Sequence, residues 1–232
     1  MVRKLRRTSL SVDAYAFVRD LLTNGTRYKP GEKISVEELS RELGVSRTPL
    51  WGAINRLEAE GIVEIVPRQG VYLINYDPDR VLEFYRVREA LEGMAARLAA
   101  ETVTERQIAA LEANLSEQRE RLAKNDVKGY HALALDFHEQ IARLSQNRTL
   151  QRLITSILAQ IRAMGVQFNY MPTHLPQSCD DHGKLIAAFR KRDPDRAEYE
   201  ARQHMRDLFE EISRTLRGQK QAERLEKIPA SL

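Results

Sequence analysis

Three histidines carry the most distinctive chemistry in the chain, and each lies beside a helical apolar stripe. His138 follows Phe137 and precedes Ile141 and Leu144, His182 precedes Leu185, Ile186 and Phe189, and His204 precedes Leu208 by four residues. Neutral imidazoles that converge from separate helices can hold a divalent cation in a bundle core. Any one of them taken alone is also accounted for by a hydrogen-bonded core or surface position. A second set lies far up the chain, in GVSRTPLWGAINRLEAEG at positions 44–61. Ser46, Arg47 and Thr48 there bring hydrogen-bonding groups to the first turn of a helix, whose N-terminus favours phosphate. Trp51, the only tryptophan, comes just after them. Arg88 shares a helical stripe with Val81, Leu91 and Ala95. A buried ion pair with a Glu or Asp is one account of an arginine on such a stripe.

The elements that position these residues fall into two sets. Apolar residues Val12, Tyr15, Val18, Leu21 and Leu22 recur at helical spacing, with Gly25 placed to cap that helix. SVEELSREL opens with Ser35 and Glu38 in capping-box spacing and ends at Gly44. The third helix has Pro49 near its first turn and a stripe of Leu50, Ala53, Ile54 and Leu57, which leaves Thr48, Trp51, Gly52 and Asn55 outside it. GIVEIV, PRQG and VYLI then read as a hairpin turning at Gly70. This order is that of a winged helix-turn-helix, although two short helices and a turn also serve as a protein-contact module.

Beyond Tyr76 the periodicity predicts helices only: from Pro78 to about Ala100, Thr104 to Asn125, Val127 to Ser145, Thr149 to Phe168, Ser178 to Arg192 and Pro194 to Leu216. The loop NYMPTHLPQ breaks this set, and Asn147, in the turn SQN, is placed as a helix cap. The expected division is a basic arm over 1–9, a winged helix over 10–76, an all-helical domain over 77–217, and a flexible tail over 218–232. The fold class is mainly α, with a small β-hairpin wing in the first domain and an all-α bundle in the second.

Composition agrees with this reading. Charged residues make up 30% and aromatics 6%, which suits helices with solvated faces. Basic residues outnumber acidic ones 12 to 9 up to Tyr76 and only 25 to 24 thereafter, so the excess sits with Arg3, Lys4, Arg6, Arg7 and the helix-turn-helix. No apolar stretch of about 7 residues near the start suggests a signal peptide, and no run of about 20 suggests a membrane span. The chain therefore reads as soluble and cytoplasmic, with no membrane partner. Cys179 is the only cysteine, so no intrachain disulfide can form.

The string LSRELGVSRTPLWGAINRLEAEGIVEIVPRQGVYL resembles the winged-helix domain of GntR-family transcriptional regulators, in register at Val45 to Pro49, Leu57, Glu60, Gly61, Val63 and Gly70. The resemblance implies that Ser46, Arg47 and Thr48 touch operator backbone and bases, and that the wing at Gln69 and Gly70 reaches the minor groove. Where the family usually has Arg-Glu, this chain has Trp51-Gly52. An indole offers one donor and apolar contact where an arginine can grip a guanine edge with two hydrogen bonds. Trp51 either faces DNA, with Asn55 on the same side, or packs against other parts of the protein.

VREALEGMAARLAA, DFHEQIARLSQNRTLQRLI and DDHGKLIAAFRKRDPDRAEYEARQHMRDL resemble the FCD ligand-binding domain of the FadR subfamily. That subfamily often binds zinc or nickel through an Asp and three histidines. The histidines match as His138, His182 and His204, but the Asp position, four before His138, is Ala134. Asp136, two before His138, points elsewhere on a helix. The resemblance further implies a small carboxylate effector, for which Arg88 is the candidate contact, and a homodimer on a roughly palindromic operator, more commonly as a repressor. A metal-dependent hydrolase built on the three histidines is the alternative from another class.

Overall fold

The computed structural model describes residues 7–24, 27–75, 77–167 and 175–226. The chain divides into two compact units, Met1–Tyr76 with Ala159–Asn169, and Asp77–Leu158 with Tyr170–Leu232.

In the first unit the order is α1 (Arg7–Asn24), β1 (Lys33–Ile34), α2 (Val36–Glu42), α3 (Arg47–Ala59), β2 (Val63–Val66) and β3 (Gly70–Leu73). Helix α3 is central. Its stripe of Leu50, Ala53, Ile54 and Leu57 is buried, and α1, α2 and β2 pack around it. Val18 and Leu22 of α1, Leu39 of α2, and Ile62, Val63 and Val71 around the sheet complete this core. Gly52 lets α1 come close, because a Cβ there would stand 3.2 Å from the Ser11 hydroxyl.

The expected hairpin is the larger part of a three-stranded antiparallel sheet in the order β1-β3-β2. Strand β1 pairs Lys33 with Tyr72 and Ile34 with Val71, and at two residues it is too short to leave a period-2 signature in sequence. The tight turn uses two residues with positive φ, Arg68 at 63° and Gly70 at 128°. A Cβ at Gly70 would come within 2.8 Å of Lys33 Cε, which the exposed and flexible lysine can yield, so it is the positive φ that favours glycine there. Ser35 caps α2 by accepting from the Glu38 amide at 3.2 Å. The reciprocal half of the expected box is absent, because the Glu38 carboxylate lies 3.4 Å from Arg27 instead.

The second unit is built from α4 (Pro78–Thr102), α5 (Glu105–Ala123), α6 (Val127–Leu144), α7 (Arg148–Gln167), α8 (Leu175–Arg190) and α9 (Pro194–Glu226). Helix α4 packs along α9, α5 lies between α6 and α8, and α8 also meets α9. The caps are local: Thr104 and Gln107 form a complete capping box, Asp126 accepts from the Gly129 amide, and Asn147 accepts from the Thr149 and Leu150 amides as expected. Phe137, Ile108, Leu111, Ile154 and Phe189 are fully or nearly fully buried.

Several expected boundaries move. Helix α1 begins at Arg7, so the last three residues of the basic arm are helical, and α9 runs to Glu226, well into the expected tail. Helix α8 starts at Leu175, with Pro176 in its first turn, where a missing N–H costs no hydrogen bond. The last turns of α7, from Ala159, group with the first unit rather than the second. Residues 1–6, Gly25 and residues 168–174 of the expected proline-containing loop lie outside the described residues.

Candidate functional site

Two sites emerge, one in each unit, with opposite physical character. On the first, the N-terminal turn of α3 stands out from its unit. Ser46, Arg47, Thr48, Trp51, Asn55 and Gln69 are all exposed, and Gly70 is half-buried at the turn of the wing. Ser46 is the N-cap of α3 by backbone angle, but its hydroxyl makes no capping bond, so the oxygen that helix ends usually occupy stays available. Arg47 has only a solvent-exposed ion pair with Glu37 at 3.2 Å, a contact that contributes little and is readily exchanged. Trp51 is 37% exposed, a large apolar ring left outside the core. Lys33 lies against the Gly70 backbone and adds a cation beside the wing. Sequence reading passed over it, since a lone lysine on a two-residue strand carries no pattern.

In the second unit the three histidines meet. His138 on α6, His182 on α8 and His204 on α9 are 6%, 1% and 3% exposed. One ligating nitrogen from each lies within 4.8 Å of the other two, against about 3.3 Å for two metal–imidazole bonds at a tetrahedral angle, so the rings would draw in to close on an ion. The His138 and His204 rings stack with centroids 5.3 Å apart, and His182 meets both edge-on while stacking on Phe137 at 4.2 Å.

What orients the rings lies on the other side of each. His138 Nδ1 is 2.7 Å from the Glu92 carboxylate, His182 Nδ1 is 2.9 Å from Gln118 Oε1, and His204 Nδ1 is 3.4 Å from the Asp181 carboxylate. A carboxylate only accepts, so Glu92 and Asp181 each draw a proton to Nδ1 and leave the lone pair on Nε2. Among the described residues, the Nε2 atoms of His182 and His204 are buried without a hydrogen-bond partner. Buried lone pairs left unsatisfied are costly, and a cation would relieve that cost. The donor set thus fits a divalent ion held by three imidazoles, with supporting acceptors of the kind that metal-bound histidines use.

The electrostatics agree. Burial pushes the His182 imidazole well below its ordinary range, with His204 and His138 adding to it. Burial also lowers His138, against the pull of Glu92. Both rings are therefore neutral near pH 7, the form that ligates. Burial alone would raise the Glu92 carboxyl, but Arg88 and then His138 outweigh it and bring it to about 2. Burial opposes Asp181 as well, yet hydrogen bonds from His204, Lys184 and Gln177 hold it below the usual carboxylate range.

Arg88 takes the ion-pair reading of its position. It is 2% exposed and its Nε donates to Glu92 at 2.5 Å, so the ion pair is real. Among the described residues its Nη2 is buried without a hydrogen-bond partner. A small cavity of about 10 Å³ opens among Glu92, His138 and His204, walled by Ala95, Ile141, Leu185 and Ala201. It has room for about one water. Glu92, Gln118 and Asp181 were missed in sequence reading because acidic and amide residues on helices are common, and nothing in their spacing ties them to a distant imidazole.

Residues 83–207 match the family described as the FCD domain, and residues 10–73 match the family described as bacterial regulatory proteins, gntR family. The chain is 33% identical over 193 residues to the Nta operon transcriptional regulator of Aminobacter aminovorans, covering 82% of this chain and 89% of that protein. It is 28% identical over 186 residues to the HTH-type transcriptional repressor RspR of Escherichia coli strain K12, covering 79% and 80%. Among solved structures it is similar to E. coli McbR/YncC, with a TM-score of 0.77 and 22% identity over 93% of this chain and 100% of that one.

Proposed function

Because the chain belongs to the GntR family of bacterial transcriptional regulators and carries an FCD domain, we propose that it is a repressor whose hold on its operator is set by a small carboxylate bound among the buried histidines. The protein is a DNA-binding regulator and not an enzyme. The metal-dependent hydrolase alternative therefore falls. The carboxylates nearest the histidines are also engaged with Nδ1 atoms or with Arg88, which leaves neither placed as a general base.

On the operator, Ser46, Arg47 and Thr48 approach phosphates and base edges, Trp51 and Asn55 extend that surface along α3, and Gln69 and Gly70 enter the minor groove with Lys33 beside them. Trp51 supplies apolar contact to a thymine methyl or a sugar where relatives use arginine. Two copies, joined through their helical domains as in the FadR type, would set two reading helices on a pseudo-palindromic site. No helix among the described residues is long and apolar enough to cross a membrane, and a cytoplasmic protein acting on chromosomal DNA accords with this.

In the helical domain His138, His182 and His204 hold a divalent ion, zinc or nickel, through Nε2. Ala134 stands where the family carries a carboxylate ligand, so a fourth donor would have to come from water, the effector or another side chain. The ion supplies a Lewis-acid anchor for a carboxylate, and the free Nη2 of Arg88 offers a donor nearby. A cavity of about 10 Å³ does not admit even a two-carbon acid without side-chain movement. Effector binding then favours a second arrangement of the bundle, and operator affinity shifts by the difference in effector affinity between the two states.

The observation that carries this reading is the convergence of the three histidines within 4.8 Å, with the Nε2 atoms of His182 and His204 buried and, among the described residues, without a hydrogen-bond partner. Metal analysis of protein purified without added ions tests it: zinc or nickel is expected in the wild type and not in His182→Ala, and equal, negligible metal in both overturns it. A thermal-shift screen of carboxylic acids, with and without zinc, then identifies the effector class. The operator-bound fraction should fall in the presence of the same acid.

A further inference from the structure

Two of the three histidines lean on carboxylates, whose role as acceptors is fixed by chemistry. His182 leans on an amide. Gln118 can present either its oxygen or its NH2 to Nδ1, and the two orientations have opposite consequences: the oxygen keeps the proton on Nδ1 and the lone pair on Nε2, while the NH2 reverses both. Something else has to choose between them.

The choice is made by a chain of hydrogen bonds that leads from the buried cluster out to Asp136, a half-exposed carboxylate that also lies 3.7 Å from Arg143. Gln118 Nε2 donates to Asn114 Oδ1 at 2.7 Å, and Asn114 Nδ2 donates to Asp136 Oδ2 at 3.1 Å and to the Leu133 carbonyl at 3.2 Å. Both terminal groups can only accept, Asp136 being a carboxylate that also takes Gln140 Nε2 at 2.7 Å. Reading inward, the Asn114 NH2 must face Asp136 and Leu133, its oxygen must face Gln118, the Gln118 NH2 must face Asn114, and the Gln118 oxygen must face His182. The Cys179 thiol, 4.0 Å from that same oxygen, is a further weak donor to it. Gln118 and Asn114 are 0% and 6% exposed, so water has little opportunity to replace these bonds.

We propose that Asp136, Asn114 and Gln118 form a relay that fixes the tautomer of His182 and so prepares the third ligand of the metal site; this rests on the metal reading above. Asp136, which does not point at the cluster, acts on it from two hydrogen-bonded residues away. These are positioning residues, since none of them touches the ion.

The ion-free wild-type protein is examined first, by the 15N chemical shifts of the His182 ring. The expected form carries its proton on Nδ1, and a ring protonated on Nε2 overturns the relay. In Asn114→Leu the same shifts should move towards a mixture of tautomers, and an unchanged tautomer also overturns it. Zinc titration adds a second readout. Gln118→Met, similar in volume but without the acceptor, should weaken zinc binding by about 10–100-fold, whereas Gln118→Glu should keep it near the wild-type value. Asn114→Leu should weaken zinc binding in the wild-type background and add nothing in the Gln118→Met background. Equal losses in both backgrounds would assign Asn114 a general structural role. If a variant does not fold, the wild-type tautomer alone decides. If the wild type takes up no zinc, the metal reading fails while the tautomer still judges the relay.

Discussion

The reading surface and the histidine site show two different ways in which a protein keeps polar groups ready for a ligand. On α3 the groups are exposed and held by the helix backbone, with Arg47 in a solvent-exposed ion pair with Glu37, so water satisfies them. In the bundle the imidazoles are shut away from water, and each is locked by a partner on its far side. The exposed site can lose a side chain with little effect on the fold. The buried site cannot, because each removal leaves an acceptor or donor stranded.

The comparison is most sharply tested where exposed and buried residues share one helix. Ile54→Ala, in the fully buried stripe of α3, should cost about 2–5 kcal/mol of stability in urea unfolding, and a loss well under that range would mean the head can collapse around the gap. In the bundle, withdrawing the ion from metal-loaded protein with a chelator should cost about 2.7 kcal/mol if free metal stood at 100 times its Kd. No change in melting temperature on chelation would break the contrast from that side. Arg47→Ala, one turn from the buried stripe, should leave stability within about 0.5 kcal/mol while weakening operator binding by about 1–3 kcal/mol. Its salt slope should fall by about 1 if it meets a phosphate.

Acid should act on the bundle. His182 and His138 are held below their ordinary 6.5, so once the pH drops below that value the unfolded chain binds more protons than the folded one. Stability is thus flat with respect to these two rings above pH 6.5 and declines below it. Glu92 and Asp181, lowered from 4.5 and 3.8, extend the loss at still lower pH. Urea unfolding of the metal-free protein from pH 8 down to 5 measures the first part, and a curve that rises on acidification would contradict the neutral histidines. The smallest effect is expected for Trp51→Ala: unaltered stability and a modest loss of operator affinity. Unaltered affinity would remove Trp51 from the reading surface.

The two regions also differed in how far sequence disclosed them. The head was legible because its signals are local: the stripe at Leu50, Ala53, Ile54 and Leu57 and the outward set at Thr48, Trp51 and Asn55 follow from one helical period. What escaped there was β1, whose pairing with β3 is made by two residues. In the bundle the three imidazoles could be named, because histidines are few and each lay beside an apolar stripe. Their supports could not, since Glu92, Gln118 and Asp181 reach them across helix interfaces that no periodicity encodes. The end of α9 was placed too early because apolar residues thin out after Leu216, while the helix itself runs on to Glu226.

Gly52 gives the reading helix one further property. With Ser11 standing 3.2 Å from where its Cβ would be, the first helix and the reading helix are fitted to each other at a point the family usually fills with Glu. Transplanting a relative's Arg-Glu into positions 51 and 52 would therefore not be a self-contained exchange of specificity. A side chain at position 52 would require the Ser11 hydroxyl to turn aside or α1 to give by a few tenths of an ångström, so Ser11 is the residue to vary together with Trp51 and Gly52.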